Sequence, residues 1–327
     1  MTRIISATDE AIAEAAAILK NGGLVVMPTE TVYGLAANAL DGAAVAKVFA
    51  AKGRPSFNPL ITHFASVEDA ARYAAFDDRV RAAAQRFWPG PLTMILPRAV
   101  DCPVSELASA GLPTLAVRIP AHPVAQALIR ACGFPLVAPS ANVSGSLSPT
   151  TPAHVAENLG DKVDMILAAG ACKIGLESTV LDLSEDKPLI LRPGAIGAEE
   201  LSEVLGEEVV YALEATDAPK SPGQLLKHYA PNTPLRLNAI DLEPGEALLA
   251  FGPVRFMGIK GGGAAKDLPD EMLRNLSEEG DLHQAAANLF AMLKELDKAG
   301  ARRIAVMNIP DIGLGIAIND RLKRAAG

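Results

Sequence analysis

Hydrophobic residues along this chain alternate between helical periodicity and short continuous apolar runs. Residues 9–20 are amphipathic and lie between a Thr8 N-cap and Gly22, which predicts a helix, and the apolar run 24–27 predicts a buried strand. The same criteria predict further helices at 41–51, 67–75, 78–87, 122–131, 198–205, 280–298 and 315–325. They predict further strands at 60–64, 92–96, 114–119, 135–138, 163–168, 178–183, 188–191, 246–251 and 302–308. Because helices and strands interleave with short connections, the fold class is α/β.

A change of composition predicts two domains. Residues 1–210 form the first predicted domain. Residues 211–235 are polar and rich in proline, which is typical of an interdomain linker. Residues 236–327 form a second, smaller α/β domain.

Composition and charge limit the class of protein. The 327 residues are 50% hydrophobic and 21% charged, as in a globular protein, and the net charge is −8. This acidic balance argues against nucleic-acid binding as the main activity, although it allows a local basic pocket. The N-terminus lacks an apolar signal core, there is no apolar run of 18 residues, and the three cysteines are widely separated. We therefore expect a cytoplasmic protein with no membrane association.

Two segments in the first domain carry unusual chemistry. Residues 28–35 (Pro-Thr-Glu-Thr-Val-Tyr-Gly-Leu) place hydroxyls, a carboxylate and a phenol directly after an apolar strand. Residues 52–60 (Lys-Gly-Arg-Pro-Ser-Phe-Asn-Pro-Leu) place two cations and an amide in a stiff loop after a helix. Together they suit a site that holds a polyphosphate-sized anion beside a small polar ligand.

Four cations, each between a regular element and a Pro/Gly turn, extend this pattern. A single Lys or Arg of this kind is most often a solvated surface residue, but the shared position favours convergence on one anion site. The donor-rich loop 140–150 follows a strand, which is also where ligands bind in α/β folds. The cations are Lys52, Arg54, Arg118 and Arg192.

The sequence lacks the common motifs of several other kinds of site. The sequence has no Walker A motif, no HExxH or Cys/His zinc spacing and no GxSxG nucleophile elbow. The pattern Gly313-Leu314-Gly315 lacks the third glycine of a dinucleotide fingerprint, so an oxidoreductase is disfavoured. We expect no tightly bound metal or organic cofactor.

The motifs at 28–35 and 52–60 resemble those of the L-threonylcarbamoyladenylate synthase family in its two-domain form. Further matching motifs are Ala-Pro-Ser-Ala-Asn-x-Ser-Gly at 138–145, Ser-Pro-Thr at 148–150, Ser-Thr-Val-x-Asp at 178–182, Arg-Pro-Gly at 192–194, Ser-Pro-Gly-x-x-x-x-His-Tyr-Ala-Pro at 221–231 and Gly-x-Gly-x-Ala-Ile-x-Asp-Arg-Leu at 313–322. The resemblance implies a YrdC-like α/β domain with a twisted mixed sheet around a basic cleft, and a small Rossmann-like C-terminal domain.

The resemblance also implies a reaction in which L-threonine, bicarbonate and ATP give threonylcarbamoyl-AMP and pyrophosphate, with Mg²⁺ accompanying ATP. A separate tRNA threonylcarbamoyl transferase would use the product. The implied threonine-binding residues are Thr31, His63, Arg118, Ala138 and Ser178. The implied ATP-binding residues are Arg54, Asn58, Thr114, Ser140, Ser148, Arg192 and Tyr229. Lys52 and Arg54 would neutralise phosphate charge during catalysis, and Tyr229 would make the linker a lid.

An RNA-binding or ribosome-maturation module is the alternative, because a basic cleft also fits a phosphate backbone. The net charge of −8 and the scarcity of aromatic residues (4%) count against it. We therefore expect no stable nucleic-acid binding.

Overall fold

The computed structural model describes residues 3–212, 229–254, 257–260 and 262–327. The chain divides into two compact units. The first contains Met1–Ser144, Pro149–Lys173 and Glu177–Leu225, and the second contains Gly145–Ser148, Ile174–Leu176 and Leu226–Gly327. Residues 213–228, which make up most of the predicted linker, lie outside the described residues. No helix in the described parts of the chain is both long and apolar enough to cross a membrane.

One mixed sheet of 11 strands organises the first unit. In chain order the strands are β1 (Arg3–Ser6), β2 (Val25–Met27), β3 (Gly34–Asn38), β4 (Ile61–His63), β5 (Leu92–Pro97), β6 (Thr114–Arg118), β7 (Leu136–Val137), β8 (Met165–Ala168), β9 (Thr179–Asp182), β10 (Leu189–Arg192) and β11 (Val210–Tyr211). Their order in the sheet is β1-β8-β2-β3-β7-β4-β6-β5-β9-β10-β11. Strands β4, β6, β5, β9 and β10, which carry or adjoin many of the predicted site residues, are therefore consecutive neighbours.

Helices cover this sheet, and their ends follow local sequence signals. They are α1 (Asp9–Lys20), α2 (Gly42–Lys52), α3 (Val67–Ala70), α4 (Asp78–Phe87), α5 (Pro123–Cys132), α6 (Pro152–Leu159) and α7 (Ala198–Leu205). The Thr8 hydroxyl caps α1 as predicted, and Asp41 caps α2. Gly53 ends α2 with a left-handed φ of 59°, so the chain turns sharply between Lys52 and Arg54.

Alternation along the strands divides the core into two layers. On one side, Val25 and Met27 of β2 pack in a cluster with the apolar residues of α1 and α5. On the other side, Val26 joins the cluster that contains the apolar faces of α2 and α4. Since both faces of the central part of the sheet are buried, strands such as β2 and β8 are continuous apolar runs, which is the pattern that made them readable from sequence.

Some elements differ from the sequence predictions. The predicted helix 67–75 ends at Ala70, because the following backbone pairs with the end of β5, where the Ala75 amide donates to Pro97 at 2.9 Å. No strand was predicted at residues 34–38, but they form β3, which pairs with both β2 and β7. Helix α6 lies directly after the donor-rich loop and was not predicted, although Thr151 caps it and Pro152 begins it.

The second unit is a small parallel α/β layer. Its strands are β12 (Leu235–Arg236), β13 (Glu246–Ala250), β14 (Leu273–Asn275) and β15 (Arg303–Val306), in the sheet order β12-β15-β13-β14. All three pairings are parallel. Helices α8 (Leu282–Asp297) and α9 (Leu314–Ala326) pack against each other and against this sheet. Strand β12 includes the last residue of the predicted linker.

Candidate active site

A single hydroxyl folds the segment after β2 into a tight turn. The backbone amides of Thr31 and Val32 both donate to Thr29 Oγ1 at 3.2 Å, and this hydroxyl donates to the Val32 carbonyl at 2.6 Å. The two threonine hydroxyls lie 2.8 Å apart. Because the turn is buried and fully bonded, it fixes the position of Thr31 Oγ1.

The Tyr33 phenol in the same segment serves the fold. It donates to the carbonyl oxygen of Gly170 at 2.7 Å and accepts from the amide of Ala169 at 3.2 Å. Burial raises the pKa of Tyr33 to about 12, so the hydroxyl stays protonated. This phenol anchors the segment to the loop after β8.

A buried ion pair joins the turn to the carboxyl end of β6. Arg118 Nη2 donates to Glu30 Oε1 at 2.6 Å and to Thr31 Oγ1 at 3.0 Å. Burial alone would raise the pKa of Glu30, but the attraction of Arg118 and the hydrogen bonds from Arg118 and the Ala121 amide hold that pKa below its usual value. Arg118 Nη1 makes no hydrogen bond within the described residues, so the guanidinium retains donors for an anionic ligand.

His63 lies beside Arg118 at the end of the adjacent strand β4, in direct register. Burial, with repulsion from Arg118 as a second cause, lowers the pKa of His63 to about 3, so the ring is neutral at physiological pH. Nδ1 lies 3.2 Å from the Ile61 carbonyl oxygen. The Leu136 backbone also interacts with the ring. The tautomer with the proton on Nδ1 donates to the Ile61 carbonyl and presents Nε2 as an acceptor.

On the other side of β6, Thr93 on β5, Ser178 directly before β9 and Arg192 at the end of β10 form a hydroxyl–guanidinium group. Thr93 on β5 is in register with Arg118, and its Oγ1 lies 2.7 Å from Ser178 Oγ. Arg192 Nη2 donates to both the carbonyl oxygen and Oγ of Ser178 at 3.0 Å. Gly194 makes this packing possible, since a Cβ there would lie 2.3 Å from the backbone nitrogen of Thr179.

Backbone carbonyls enclose the Lys52 ammonium. Nζ donates to the carbonyl oxygens of Ser140 and Asn142, both at 2.5 Å. Burial and then repulsion by Arg54 hold the pKa of Lys52 well below its usual value, and the nearby Glu177 carboxylate acts in the opposite direction. The lysine therefore fixes the donor-rich loop in place.

The neighbouring Arg54 shapes the loop that carries Asn58. Its Nε donates to the Asn58 carbonyl at 3.1 Å and its Nη2 donates to the Pro59 carbonyl at 2.9 Å. The Asn58 side chain is fully buried, yet neither Oδ1 nor Nδ2 has a hydrogen-bond partner in the described residues. Because buried polar groups are nearly always satisfied, this amide is a candidate for ligand binding.

The four predicted cations are buried, with exposed fractions of 1% for Lys52, 8% for Arg54, 4% for Arg118 and 4% for Arg192. The reading of these residues as solvated surface cations is therefore wrong. Arg118 and Arg192 lie in one group around β6, β5 and β9, and Lys52 and Arg54 lie in another beside the donor-rich loop. Ser140, whose carbonyl binds Lys52, forms an antiparallel bridge with Gly34. Since Gly34 begins β3, just after the turn that contains Thr31, this bridge connects the two groups.

The remaining predicted site residues occupy other positions. Thr114 begins β6, four positions before Arg118, which corresponds to about 13 Å along a strand. Ala138 directly follows β7, and its amide donates to the Ile61 carbonyl at 3.0 Å. Ser148 is buried and grouped with the second unit.

Tyr229 is also grouped with the second unit, at the end of the segment outside the described residues. It adopts a left-handed φ of 61°, and its ring packs 5.7 Å from the Phe290 ring with the Arg321 guanidinium 5.1 Å above it. The ligand roles of Ser148 and Tyr229 remain predictions.

Sequence reasoning assigned no role to three residues that the structure places in these groups. Glu30 fixes Arg118, Thr29 builds the turn, and Thr93 bonds Ser178. Glu30 and Thr29 were visible inside the 28–35 motif, whereas Thr93 lies in an apolar strand and carries no local signal. In the described parts of the chain, no group of three or more His, Cys, Asp or Glu side chains is arranged to hold a metal ion.

Comparison with known proteins agrees with this architecture. Residues 17–194 match a family model of Sua5, YciO and YrdC that is described as telomere recombination, and residues 196–327 match the model of the threonylcarbamoyl-AMP synthase C-terminal domain. The threonylcarbamoyl-AMP synthase of Pyrococcus abyssi is 40% identical over 324 residues, covering 96% of this chain and 93% of that protein. The chain belongs to the threonylcarbamoyl-AMP synthase family.

Two further members of the threonylcarbamoyl-AMP synthase family support this. The Bacillus subtilis enzyme is 40% identical over 335 aligned positions, covering 100% of this chain and 96% of that protein. The structure of Pyrococcus abyssi Sua5 complexed with L-threonine aligns with a TM-score of 0.87 at 35% identity, covering 100% of this chain and 97% of that chain. The predicted family, the α/β fold class and the assignment as an enzyme are thus confirmed, and the RNA-binding alternative is not favoured.

The neutral state of His63 predicts a specific pH dependence of stability. The pKa of His63 is about 3 in the folded protein and about 6.5 in an unfolded chain, so only the unfolded state takes up this proton as the pH falls below about 6.5. The free energy of unfolding should therefore fall by about 3 kcal/mol between pH 6.5 and pH 4 because of this group. Urea unfolding at several pH values should show that His63→Asn lacks this part of the decrease.

The His63→Asn variant retains an amide donor for the Ile61 carbonyl, and every other titratable group is common to the two proteins. Equal pH dependence of wild type and variant would contradict a neutral, buried His63.

Proposed function

We propose that this chain condenses L-threonine, bicarbonate and ATP to threonylcarbamoyl-AMP and pyrophosphate. The threonine amine takes up the carbon of bicarbonate with loss of water, and an oxygen of the resulting carbamate attacks the α-phosphorus of ATP. The new P–O bond forms as the bond to pyrophosphate breaks. Both reactants are anions, so the reaction requires positioning and charge neutralisation more than a nucleophilic side chain.

The observation that carries this proposal is that the buried Arg118 guanidinium keeps one nitrogen, Nη1, without a hydrogen bond among the described residues. Glu30 and Thr31 hold Nη2 in place, while Nη1 remains for a carboxylate. Neutral His63 beside it offers Nε2 to a hydroxyl or amine donor. A carboxylate, an amine and a hydroxyl are the polar groups of threonine, and a relative has been solved as a complex with L-threonine. Ala138 and Ser178 complete the proposed threonine site.

ATP would bind near the second group of cations. Lys52 donates to the carbonyls of Ser140 and Asn142, and Arg54 donates to those of Asn58 and Pro59. Held in this way, the two cations would neutralise developing charge on the phosphates. Asn58 offers a buried amide that has no partner among the described residues. The other proposed ATP-binding residues are Thr114, Ser140, Ser148, Arg192 and Tyr229.

Magnesium would accompany ATP and be bound mainly by its phosphates. We place the reaction in the cytoplasm, where a tRNA threonylcarbamoyl transferase would move the threonylcarbamoyl group onto the adenosine beside the anticodon. In this proposal residues 1–210 are catalytic, and 211–235 act as a lid through Tyr229, excluding water from the mixed anhydride.

The reaction itself is tested by pyrophosphate release from ATP. Release should require both threonine and bicarbonate and should yield an adenylate with the mass of threonylcarbamoyl-AMP. ATP turnover that is indifferent to threonine would refute the proposal.

Arg118→Lys tests the carboxylate contact. Lysine retains a charge for Glu30 but loses the planar fork, so threonine affinity should fall roughly 10- to 100-fold while ATP affinity changes little. Isothermal titration with each substrate measures both. Arg98→Lys is the matched control, because Arg98 bonds Ser109 and two backbone carbonyls, and it should leave threonine affinity unchanged. Equal losses for both ligands in Arg118→Lys would contradict the assignment.

Asn58→Leu separates ligand binding from folding. Leucine replaces a buried amide that has no hydrogen-bond partner in the part of the chain that the structure describes, so the free energy of unfolding should stay the same or rise. ATP affinity should fall roughly tenfold through lost hydrogen bonds. Chemical denaturation and ATP titration provide the two measurements.

The control is Thr62→Val, which also removes a buried hydroxyl without a partner in the described residues but has no proposed ligand role. It should leave ATP affinity unchanged. A loss of stability in Asn58→Leu without a loss of ATP affinity would show that the amide serves the fold.

A further inference from the structure

The second unit contains a crevice beyond the ends of two neighbouring parallel strands, β12 and β15. The connections that follow these two strands run to opposite faces of the sheet. After β12 the chain crosses the end of β15, where the Ala239 amide donates to Val306 at 2.8 Å. Ala239 and Leu242 then enter an apolar cluster with Leu248 and Ala305 that includes no described residue of α8 or α9. After β15 the chain instead leads to α9, which packs over β12. Ligands of open α/β sheets bind at such divergences, outside the carboxyl ends of the strands.

A cavity of about 350 Å³ occupies this position. Its walls come from the two diverging connections and from one side of α9. Leu237, Ile309 and Leu322 supply apolar surface, and Asn308, Asp311 and Lys323 are among its polar residues. The volume is near the lower end of the range for small-molecule sites.

The polar groups of the cavity are only partly used by the fold. Asn319 Nδ2 donates to the Ile309 carbonyl at 3.0 Å and to Asp311 Oδ1 at 3.2 Å. These bonds fix Asn319 and Asp311 but leave Asn319 Oδ1 and Asp311 Oδ2 without a partner in the described part of the chain. The side chains of Asn238 and Asn308 make no hydrogen bond there either, although Asn238 adopts a left-handed φ of 54° at the crevice. The exposed carboxamides of Asn238 and Asn308 therefore border this space with a donor and an acceptor each, and Asn319 borders it with its acceptor only.

The chemistry of the lining selects a class of ligand. The carboxamides of Asn238 and Asn308 can pair with the donor and acceptor edge of a nucleobase, and the apolar walls suit its faces. A carboxylate beyond a parallel strand is suited to accept from sugar hydroxyls. Lys323 is the one cation among the described lining residues, which fits a single phosphate better than a polyphosphate. We infer that this cavity binds a nucleoside monophosphate, at a site separate from the candidate active site and independent of the proposed function.

Hydrogen–deuterium exchange on the full chain, with AMP as the probe, tests this inference. At an AMP concentration about ten times the dissociation constant, exchange through local opening should slow about tenfold in peptides covering residues 306–311 and 316–323. This readout does not depend on enzymatic activity, so it remains informative whatever the pyrophosphate assay shows. Protection confined to peptides of the first unit would overturn the inference.

Lys323→Glu provides the decisive variant, because Lys323 is exposed and the substitution should not disturb folding. It should abolish protection by AMP at 306–323 and leave any protection of residues 52–60 unchanged. Asn319→Leu should do the same, and Asn288→Leu is its matched control, since Asn288 bonds the Leu276 carbonyl away from the cavity. Protection by AMP that survives both Lys323→Glu and Asn319→Leu would overturn the site. Protection by L-threonine but not by AMP would overturn the ligand class, because an amino acid also presents one positive and one negative charge to Asp311 and Lys323.

Discussion

The candidate active site of the first unit depends on cations that are buried within the fold. Moving a cation out of water costs several kcal/mol unless polar partners replace its hydration. Backbone carbonyls of Ser140 and Asn142 do this for Lys52, and the Ser178 carbonyl does so for Arg192. A carbonyl satisfies the donor without neutralising its charge. Cations held in this way are already positioned for an anion, and their burial is a stability cost that the rest of the fold must offset.

Arg118 is held differently, because its Nη2 bonds a carboxylate. Glu30 neutralises much of its charge, so Arg118 contributes directed hydrogen-bond donors more than a long-range field. The same guanidinium helps to keep His63 neutral on the next strand. The Arg118 region thus combines a guanidinium in a fixed position with the uncharged ring of His63. The Lys52 and Arg54 region combines positive charge with the buried Asn58 amide. This difference suits two ligands of unequal charge, a zwitterionic amino acid and a polyphosphate.

Much of the candidate site could be read from the sequence because its residues lie in short motifs beside strand ends. The α/β class, helices such as α1 and α4, and the cations at element boundaries all followed from periodicity and turn signals. Strand β3 was missed because Gly-Leu-Ala-Ala-Asn has weak strand propensity and becomes a strand only by pairing with β2 and β7. Thr93 was missed for a related reason, since its partner Ser178 lies 85 residues away along the chain.

The sequence by itself determined which residue types are present, where the helices are capped and which runs are apolar enough to be buried, because these depend on interactions within a few residues. Only the tertiary structure decided that β4, β6, β5, β9 and β10 are neighbours, which brings His63, Arg118, Thr93 and Ser178 to one region. It also decided which carbonyls and carboxylate hold the cations, and it left the Asn58 amide without a hydrogen-bond partner among the residues described. These outcomes depend on contacts between distant segments, whose energies no local pattern encodes.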